Sequence, residues 1–339
     1  MIKSIKKKIK PFVIFLVYIF AFILKRMFNV MFTTIAAERI GDLAGSCDIH
    51  IKRKIINPLK VKVCFIVHPA CNKTLINMFR KHIFILETTL GKILIDISKD
   101  KLIENELFLK VNEDIFAYKE YSMVGPQISL SSNQISQGYS KLKKIGITKN
   151  DWWVCFHVRD ETYLKNLKLY KKRDLSYHSY RDFSEESLHK GIEEVTKRGG
   201  YVFLMSERGK STAFNNNPLV IQYNNNTFKT GFLDIFLCSQ AKFFIGNTSG
   251  ITSVPKILGV PVGVCNQIGF NHFLQQKKSL TIYKKLFCLT TQKILTYDEM
   301  FKNNYFDQYK GWVEFTTDSL KKRNVIAVEN SSDEILGLV

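Results

Sequence analysis

The chain has 339 residues, of which 45% are hydrophobic, and its 50 Lys and Arg against 30 Asp and Glu leave a formal charge of +20. Its length exceeds one typical domain and suits two, each able to bury its own core, and its composition excludes the disordered, low-complexity and collagen-like classes. The seven cysteines are odd in number, scattered and mostly inside apolar runs (Cys64, Cys155, Cys238, Cys265), so they read as reduced core residues rather than a disulfide framework or a zinc site.

Positive charge gathers at the N-terminus. Lys3, Lys6, Lys7, Lys8, Lys10, Lys25 and Arg26 precede the first acid, Glu38, and flank an apolar run from Phe12 to Leu24. A straight bilayer span takes about 20 apolar residues, and this run is shorter; extended to Phe32 it would be interrupted by two cations. Residues 1–28 are therefore expected to anchor the chain at an anionic membrane surface. A cleaved signal peptide shares the basic-then-apolar form, with Ala36-Ala37 imitating its cleavage site, but Lys25 and Arg26 intervene. Beyond the anchor, basic residues are dispersed among acids and no nucleic-acid module is found, so no nucleic-acid partner is expected.

Val30 to Ala37 reads as a strand leading into Arg39-Ile40-Gly41-Asp42-Leu43-Ala44-Gly45, where a glycine would let backbone approach a ligand closely. Val61 to Val67 is a second strand, and Asn72 to His82 a helical stretch with Leu75, Met78 and Phe79 on one side. From Ile83 to Ala117 no period is decisive. Ser131-Ser132-Asn133-Gln134 predicts a capping box opening a helix with Ile135, Tyr139 and Leu142 on one face, ended by Gly146. The domain boundary is expected here: residues 29–147 form a first domain, 148–325 a second, and 326–339 a C-terminal tail.

In the second domain, Trp152 to Phe156 predicts a buried strand that ends in His157-Val158-Arg159-Asp160. Lys165 to Asp182 is too polar for core. Asp182 is expected to cap a helix carrying Leu188, Ile192 and Val195, closed by Gly199-Gly200. Tyr201 to Met205 is a strand followed by Ser206-Glu207-Arg208-Gly209, and Val220 to Tyr223 another. A helix capped at Asp234 follows, running to Gln240. Then come a strand from Lys242 to Gly246, the turn Asn247-Thr248-Ser249-Gly250, and a helix starting near Thr252 or Ser253, since Pro255 fits only a first turn. Pro261 to Cys265 is the last clear strand. This alternation describes a doubly wound α/β domain.

Two of these strand ends carry chemistry. Arg159 offers a planar fork of donors for two phosphate oxygens. Asn247, Thr248, Ser249, Gly250 and Ser253 surround a helix start, whose free N–H groups and positive dipole end attract anions. Alone, each motif also fits a plain reading: an Arg–Asp pair in a charged loop, or an ordinary strand-to-helix turn. Together they describe one diphosphate site at the carboxyl edge of a parallel sheet, where such folds bind ligands. Glu207 and Arg208 end a strand on the same edge, and read equally as solvated loop charges.

The chain also resembles, from Val61 to about Gly269 and at Arg39 to Ala44, a group of bacterial glycosyltransferases found with surface-polysaccharide genes. These are distantly similar to protein O-fucosyltransferases and α1,6-fucosyltransferases. The matching stretches are Arg39-Ile40-Gly41 with Leu43-Ala44, Cys71-Asn72-Lys73 with Leu75 and Met78, and Trp153 to Asp160 with Tyr163-Leu164. Further matches are Arg198 to Val202 with Met205, and Phe243 to Gly250 with Val254-Pro255 and Gly259-Val260-Pro261.

The resemblance implies a GT-B architecture, with two Rossmann-like domains facing a cleft, and transfer of a sugar from a nucleotide-sugar to a glycan or lipid-linked acceptor hydroxyl. It implies work at the cytoplasmic face of the inner membrane. Arg159, Thr248 and Ser249 fall at the family's diphosphate-holding positions, and Arg39, Gly41 and Asp42 on the acceptor side. Histidine is usual where this chain has Asp42; an aspartate could serve as base or cap the following helix. His157 is expected to orient the loop or touch the donor, and Asp160 to orient Arg159. No carboxylate pair has metal-binding spacing, so no cofactor or obligatory metal is expected. Other readings kept open are a nucleotide-sugar epimerase or hydrolase of the same fold, and a non-catalytic polyanion binder.

Overall fold

A computed structural model of the chain describes residues 2–111, 117–159, 176–206, 214, 216–225, 227–268, 278–303, 305 and 317–339. The chain divides into two units, Met1–Ser129 and Leu130–Val339. The capping-box helix therefore belongs to the second unit, one helix earlier than the expected boundary.

The first unit opens with α1 (Ile2–Phe28). This helix runs on past the apolar stretch at both ends, and its Lys10–Phe28 segment, 19 residues of mean hydropathy 2.0, is long and apolar enough to cross a membrane. The apolar run alone fell short because helix continues through the flanking cations. β1 (Val30–Thr34) follows, then α2 (Ile40–Ile56), β2 (Lys62–Val67), α3 (Lys73–Phe79), β3 (Phe84–Glu87), α4 (Thr89–Glu104) and α5 (Tyr118–Met123). The strands form one parallel sheet in the order β1-β2-β3.

Alternation along β2 separates the two faces of this sheet. Phe65 meets His50 of α2 edge-on at 5.1 Å. Cys64 and Ile66 turn the other way, packing with Phe32 against Ala21 of α1 and Ile95 and Leu102 of α4. The stretch from Ile83 to Ala117 concealed a strand and a helix: Thr88 caps α4 by accepting from the Gly91 N–H at 3.2 Å, but only Ile95, Ser98 and Leu102 are buried, too few to print a clear period.

The second unit contains α6 (Ser132–Lys143), whose capping box is formed as read, with Ser131 and Gln134 bonding each other's backbone. β4 (Trp153–His157), α7 (His189–Lys197), β5 (Tyr201–Leu204), β6 (Val220–Gln222), α8 (Gly231–Gln240), β7 (Phe243–Gly246), α9 (Ser253–Ile257), β8 (Val262–Gln267) and β9 (Leu280–Tyr283) follow. The six strands pair in parallel in the order β6-β5-β4-β7-β8-β9. Sequence order thus reverses between β4 and β7, the dinucleotide-fold pattern with its switch point there.

Helices cover both faces. Val154, Phe156, Val202, Leu204 and Ile245 pack with Leu188, Ile192 and Val195 on one side. On the other, Trp153 meets Phe203 and Phe236, and its indole N–H donates to the Leu237 carbonyl at 3.0 Å. Buried, free Cys155 and Cys238 lie in this layer, as expected of reduced core thiols.

The remainder comprises β10 (Lys285–Cys288), β11 (Lys293–Ile294), α10 (Tyr297–Lys302), α11 (Thr317–Lys322), β12 (Val325–Val328) and α12 (Ser332–Leu336). β10, β11 and β12 form a small antiparallel sheet. Residues 326–339 are not a loose tail, because Ile335 is fully buried against Leu188 and Ile192.

Two predicted helix caps are corrected. Ser184, not Asp182, caps the 3-10 turn Glu185–Leu188 that leads into α7. Thr230, not Asp234, caps α8, and Asp234 instead accepts from the Tyr223 hydroxyl at 2.7 Å. In both cases a neighbouring hydroxyl could cap while the carboxylate met a stronger partner.

Candidate functional site

β4 and β7 are neighbours, with His157 in register with Gly246, so the chain leaves the sheet at two adjacent points on one edge. A side chain at position 246 would not fit: a Cβ there would lie 2.9 Å from the Phe244 ring and 3.1 Å from the His157 carbonyl oxygen. Glycine allows the close approach that brings the two motifs together.

Asn247 joins them. It is fully buried, its Oδ1 accepts the Arg159 backbone N–H at 3.0 Å, and its Nδ2 donates to the Arg181 carbonyl at 2.7 Å. The Ser206 hydroxyl accepts the Val158 N–H at 2.9 Å, and His157 Nδ1 lies 3.1 Å from the Met205 carbonyl. The β4 exit is therefore tied to the ends of both β5 and β7.

Arg159 is only 7% exposed. One guanidinium nitrogen, Nη1, donates to Asp182 Oδ1 at 2.5 Å. The other, Nη2, is buried with no hydrogen-bond partner among the described residues. Among the described residues the carboxylate bonded to Arg159 is Asp182, contributed from twenty-odd residues away; Asp160, expected to orient Arg159, lies outside the described residues, as do Glu207 and Arg208. The Asp182 carbonyl in turn accepts from Lys284 Nζ at 2.7 Å. Burial holds the Lys284 ammonium below its ordinary range, while Glu329 and Asp182 pull the other way. A buried cation left with an open donor is costly unless an anion completes it, so this geometry suits a bound phosphate oxygen.

The helix start after β7 is more modest than the sequence implied. α9 begins at Ser253 with Pro255 in its first turn, as read, but it has five residues and its N-cap Thr252 makes no side-chain cap bond. Thr252 donates instead to the Asn247 carbonyl at 2.8 Å, and Ser249 meets Thr252 at 3.1 Å. Thr248 is bonded to the Gln267 side chain. These hydroxyls first of all hold the turn. Ser249 and Ser253 remain half-buried and Gly250 is exposed, so backbone and side-chain donors at the turn reach the surface.

Asp182, Lys284 and Gln267 escaped the sequence reading as members of this site. They come from separate segments and carry no motif.

The acceptor-side candidates lie in the first unit. Gly41 and Asp42 stand within the first turn of α2 rather than in a loop before it, with Arg39 as N-cap. Arg39 Nε lies 3.1 Å from Asp42 Oδ2, and both side chains are exposed, at 45% and 40%. The N-cap residue is thus Arg39 rather than Asp42, whose charge in the first turn suits the positive end of the helix. Among the described residues, no three His, Cys, Asp or Glu side chains gather as metal ligands would.

No family model matches the sequence, and no curated protein does. Solved structures similar to the chain include the Escherichia coli ADP-heptose lipopolysaccharide heptosyltransferase II, at 10% identity and a TM-score of 0.49 over 74% of this chain and 90% of that one. A family 9 glycosyl transferase from Veillonella parvula has 10% identity and a TM-score of 0.47 over 91% and 95%. E. coli heptosyltransferase WaaC with ADP has 9% identity and a TM-score of 0.41 over 81% and 96%.

Proposed function

We propose that this chain is a glycosyltransferase of surface-glycan synthesis, moving a sugar from a nucleoside-diphosphate sugar to an acceptor hydroxyl. The observation that carries the reading is the buried, unfilled Nη2 of Arg159 at the switch point of a doubly wound sheet. In this reading Asp182 holds the guanidinium plane, and Nη2 with donors at the 247–253 turn takes the diphosphate. As the bond from sugar to diphosphate breaks, negative charge grows on the phosphate oxygens, and donors already fixed in place stabilise it without reorganising.

The acceptor role of Asp42 is part of the proposal. As a base, Asp42 would take the acceptor hydroxyl proton as the sugar is transferred. The proposal assigns the diphosphate to Arg159 and the turn donors and names no metal. Association with a membrane is supported by α1, whose Phe12, Phe15, Leu16 and Phe22 are exposed, and work at its inner face is part of the proposal.

The test is thermal unfolding of the full chain in mild detergent with ADP, GDP, UDP and CDP and their sugars, ADP-heptose included. The full chain is needed because Ala21 of α1 is buried in the first unit's core. A ligand at 100 times its Kd stabilises by about 2.7 kcal/mol. One nucleotide should raise Tm selectively, with the gain absent in Arg159→Ala and largely absent in Arg159→Lys, which keeps charge but not the fork. If every nucleotide leaves folded wild-type protein unmoved, the transferase reading is wrong; equal stabilisation by any polyanion would mark a polyanion binder instead.

A further inference from the structure

A cavity of about 780 Å³ lies wholly within the first unit, and no residue of the diphosphate site lines it. Its floor is the sheet face carrying Cys64, Ile66, Phe84 and Leu86. Its walls are Phe20 and Leu24 of α1 and Leu94 of α4. The volume is within the roughly 300–1,000 Å³ of small-molecule sites.

Neighbouring apolar surface is left uncovered. Phe84 and Leu86 on β3 are 68% and 47% exposed, and Leu90 and Ile93 of α4 are 67% and 44% exposed. On α1, Phe20 and Phe28 line the cavity yet remain 58% and 53% exposed, so the cavity opens onto the same apolar surface that the helix presents outward. An apolar surface of this extent, continuous with a ligand-sized cavity, marks a binding site rather than ordinary exposure.

The lining is also polarised. Lys54, Lys60, Lys62 and His82 line the cavity and no carboxylate does. Among the described residues the ammonium groups of Lys54, Lys60 and Lys62 enter no ion pair, whereas Lys73 and Arg80 nearby in sequence are bound to Glu87. An apolar trough with free cations matches a molecule with a hydrocarbon chain and an anionic head.

The orientation of α1 identifies the source. Lys101 of α4 stands 5.9 Å from the ring of Tyr18, in the middle of the apolar run. A cation and its charged helix held there would be buried in hydrocarbon if α1 crossed the bilayer upright. Lying along the surface, α1 sinks its outer face among the acyl chains and brings the cavity mouth to them.

We propose that this cavity takes up an acyl chain of an anionic bilayer phospholipid, whose phosphate is met by Lys54, Lys60 and Lys62. The site rests on the first unit alone and stands or falls independently of the nucleotide reading.

The test incubates the full chain with vesicles of phosphatidylglycerol or of phosphatidylcholine, extracts it in mild detergent and measures retained lipid by native mass spectrometry. One phosphatidylglycerol per chain is expected, with phosphatidylcholine retained at least about ten-fold less, since each basic residue near an anionic surface adds about 1 kcal/mol. Lys60→Glu combined with Lys62→Glu should abolish the preference. Leu86→Glu should abolish retention while thermal unfolding and flotation on vesicles stay as in wild type, because the outer face of α1 is untouched. Phe84→Ser, at a more exposed position, should also lower retention and guards against misfolding of the first variant. The proposal is overturned by no retained lipid, by equal retention of both lipids, by retention that survives Leu86→Glu and Phe84→Ser in folded protein, or by a polyprenyl phosphate displacing equimolar phosphatidylglycerol.

Discussion

Replacing Asn247 by alanine tests whether the two strand-end motifs form one structure. Its amide satisfies the Arg159 N–H at 3.0 Å and the Arg181 carbonyl at 2.7 Å from a fully buried position. Alanine removes both bonds and leaves a small hole. A buried backbone group that loses its partner costs about 1–3 kcal/mol; with partial relaxation, we expect a loss of about 2–4 kcal/mol. For a body of roughly 150–250 residues, each 1 kcal/mol lowers Tm by about 2–4 °C, so the expected fall is roughly 4–16 °C. Urea denaturation of wild type and variant at pH 7, with Tm measured alongside, provides the assay. Asn247→Asp keeps the acceptor for Arg159 but turns a carboxylate oxygen toward the Arg181 carbonyl, and should be at least as destabilising. In either variant nucleotide affinity should fall about ten-fold or more, because Arg159 is no longer pinned. A stability loss under about 0.5 kcal/mol with unchanged nucleotide binding would show that Asn247 does not tie the site together.

Gly138→Ala should destabilise the second unit by about 1–3 kcal/mol, since the added Cβ would lie 2.2 Å from the Phe236 ring and must push α6 off α8. Alanine's better helix propensity, about 1 kcal/mol, acts in the opposite sense; a variant more stable than wild type would show that α6 is not seated on α8 in this way. His50 carries a pH signature. Burial, then Lys54 and Arg53, lower its pKa to about 4 from 6.5, so the unfolded chain binds the proton first and the stability held above pH 6.5 drains away as pH falls toward 4. The shift is worth on the order of 3 kcal/mol; urea titrations at pH 7 and 4.5 should show a smaller drop in His50→Asn than in wild type, and equal drops would refute the assignment.

Legibility followed locality. The strand Trp153–His157 and the strand Phe243–Gly246 were readable because a strand buried on both faces is a short continuous apolar run, and the Ser131 capping box because its two partners are three residues apart. α4 was not readable, since cover from α1 and the sheet reaches only a narrow strip of it. Asp182 and Asp234 misled for one reason: a carboxylate beside a helix start looks like a cap until a distant Arg159 or Tyr223 claims it.

From sequence alone came the alternation of strands and helices in the second unit, the basic apolar N-terminus, and the two strand-end turns read as a candidate anion site, because each depends on residues adjacent in the chain. Tertiary structure alone decided that those turns lie side by side at the switch point, since strand order is set by packing and crossover handedness. It also decided that Asp182 bonds Arg159 and Lys284 bonds the Asp182 carbonyl, and that α1 walls an apolar cavity whose lysines form no ion pair among the described residues. Such contacts join residues far apart in sequence, and burial strengthens them only after the chain has closed around them.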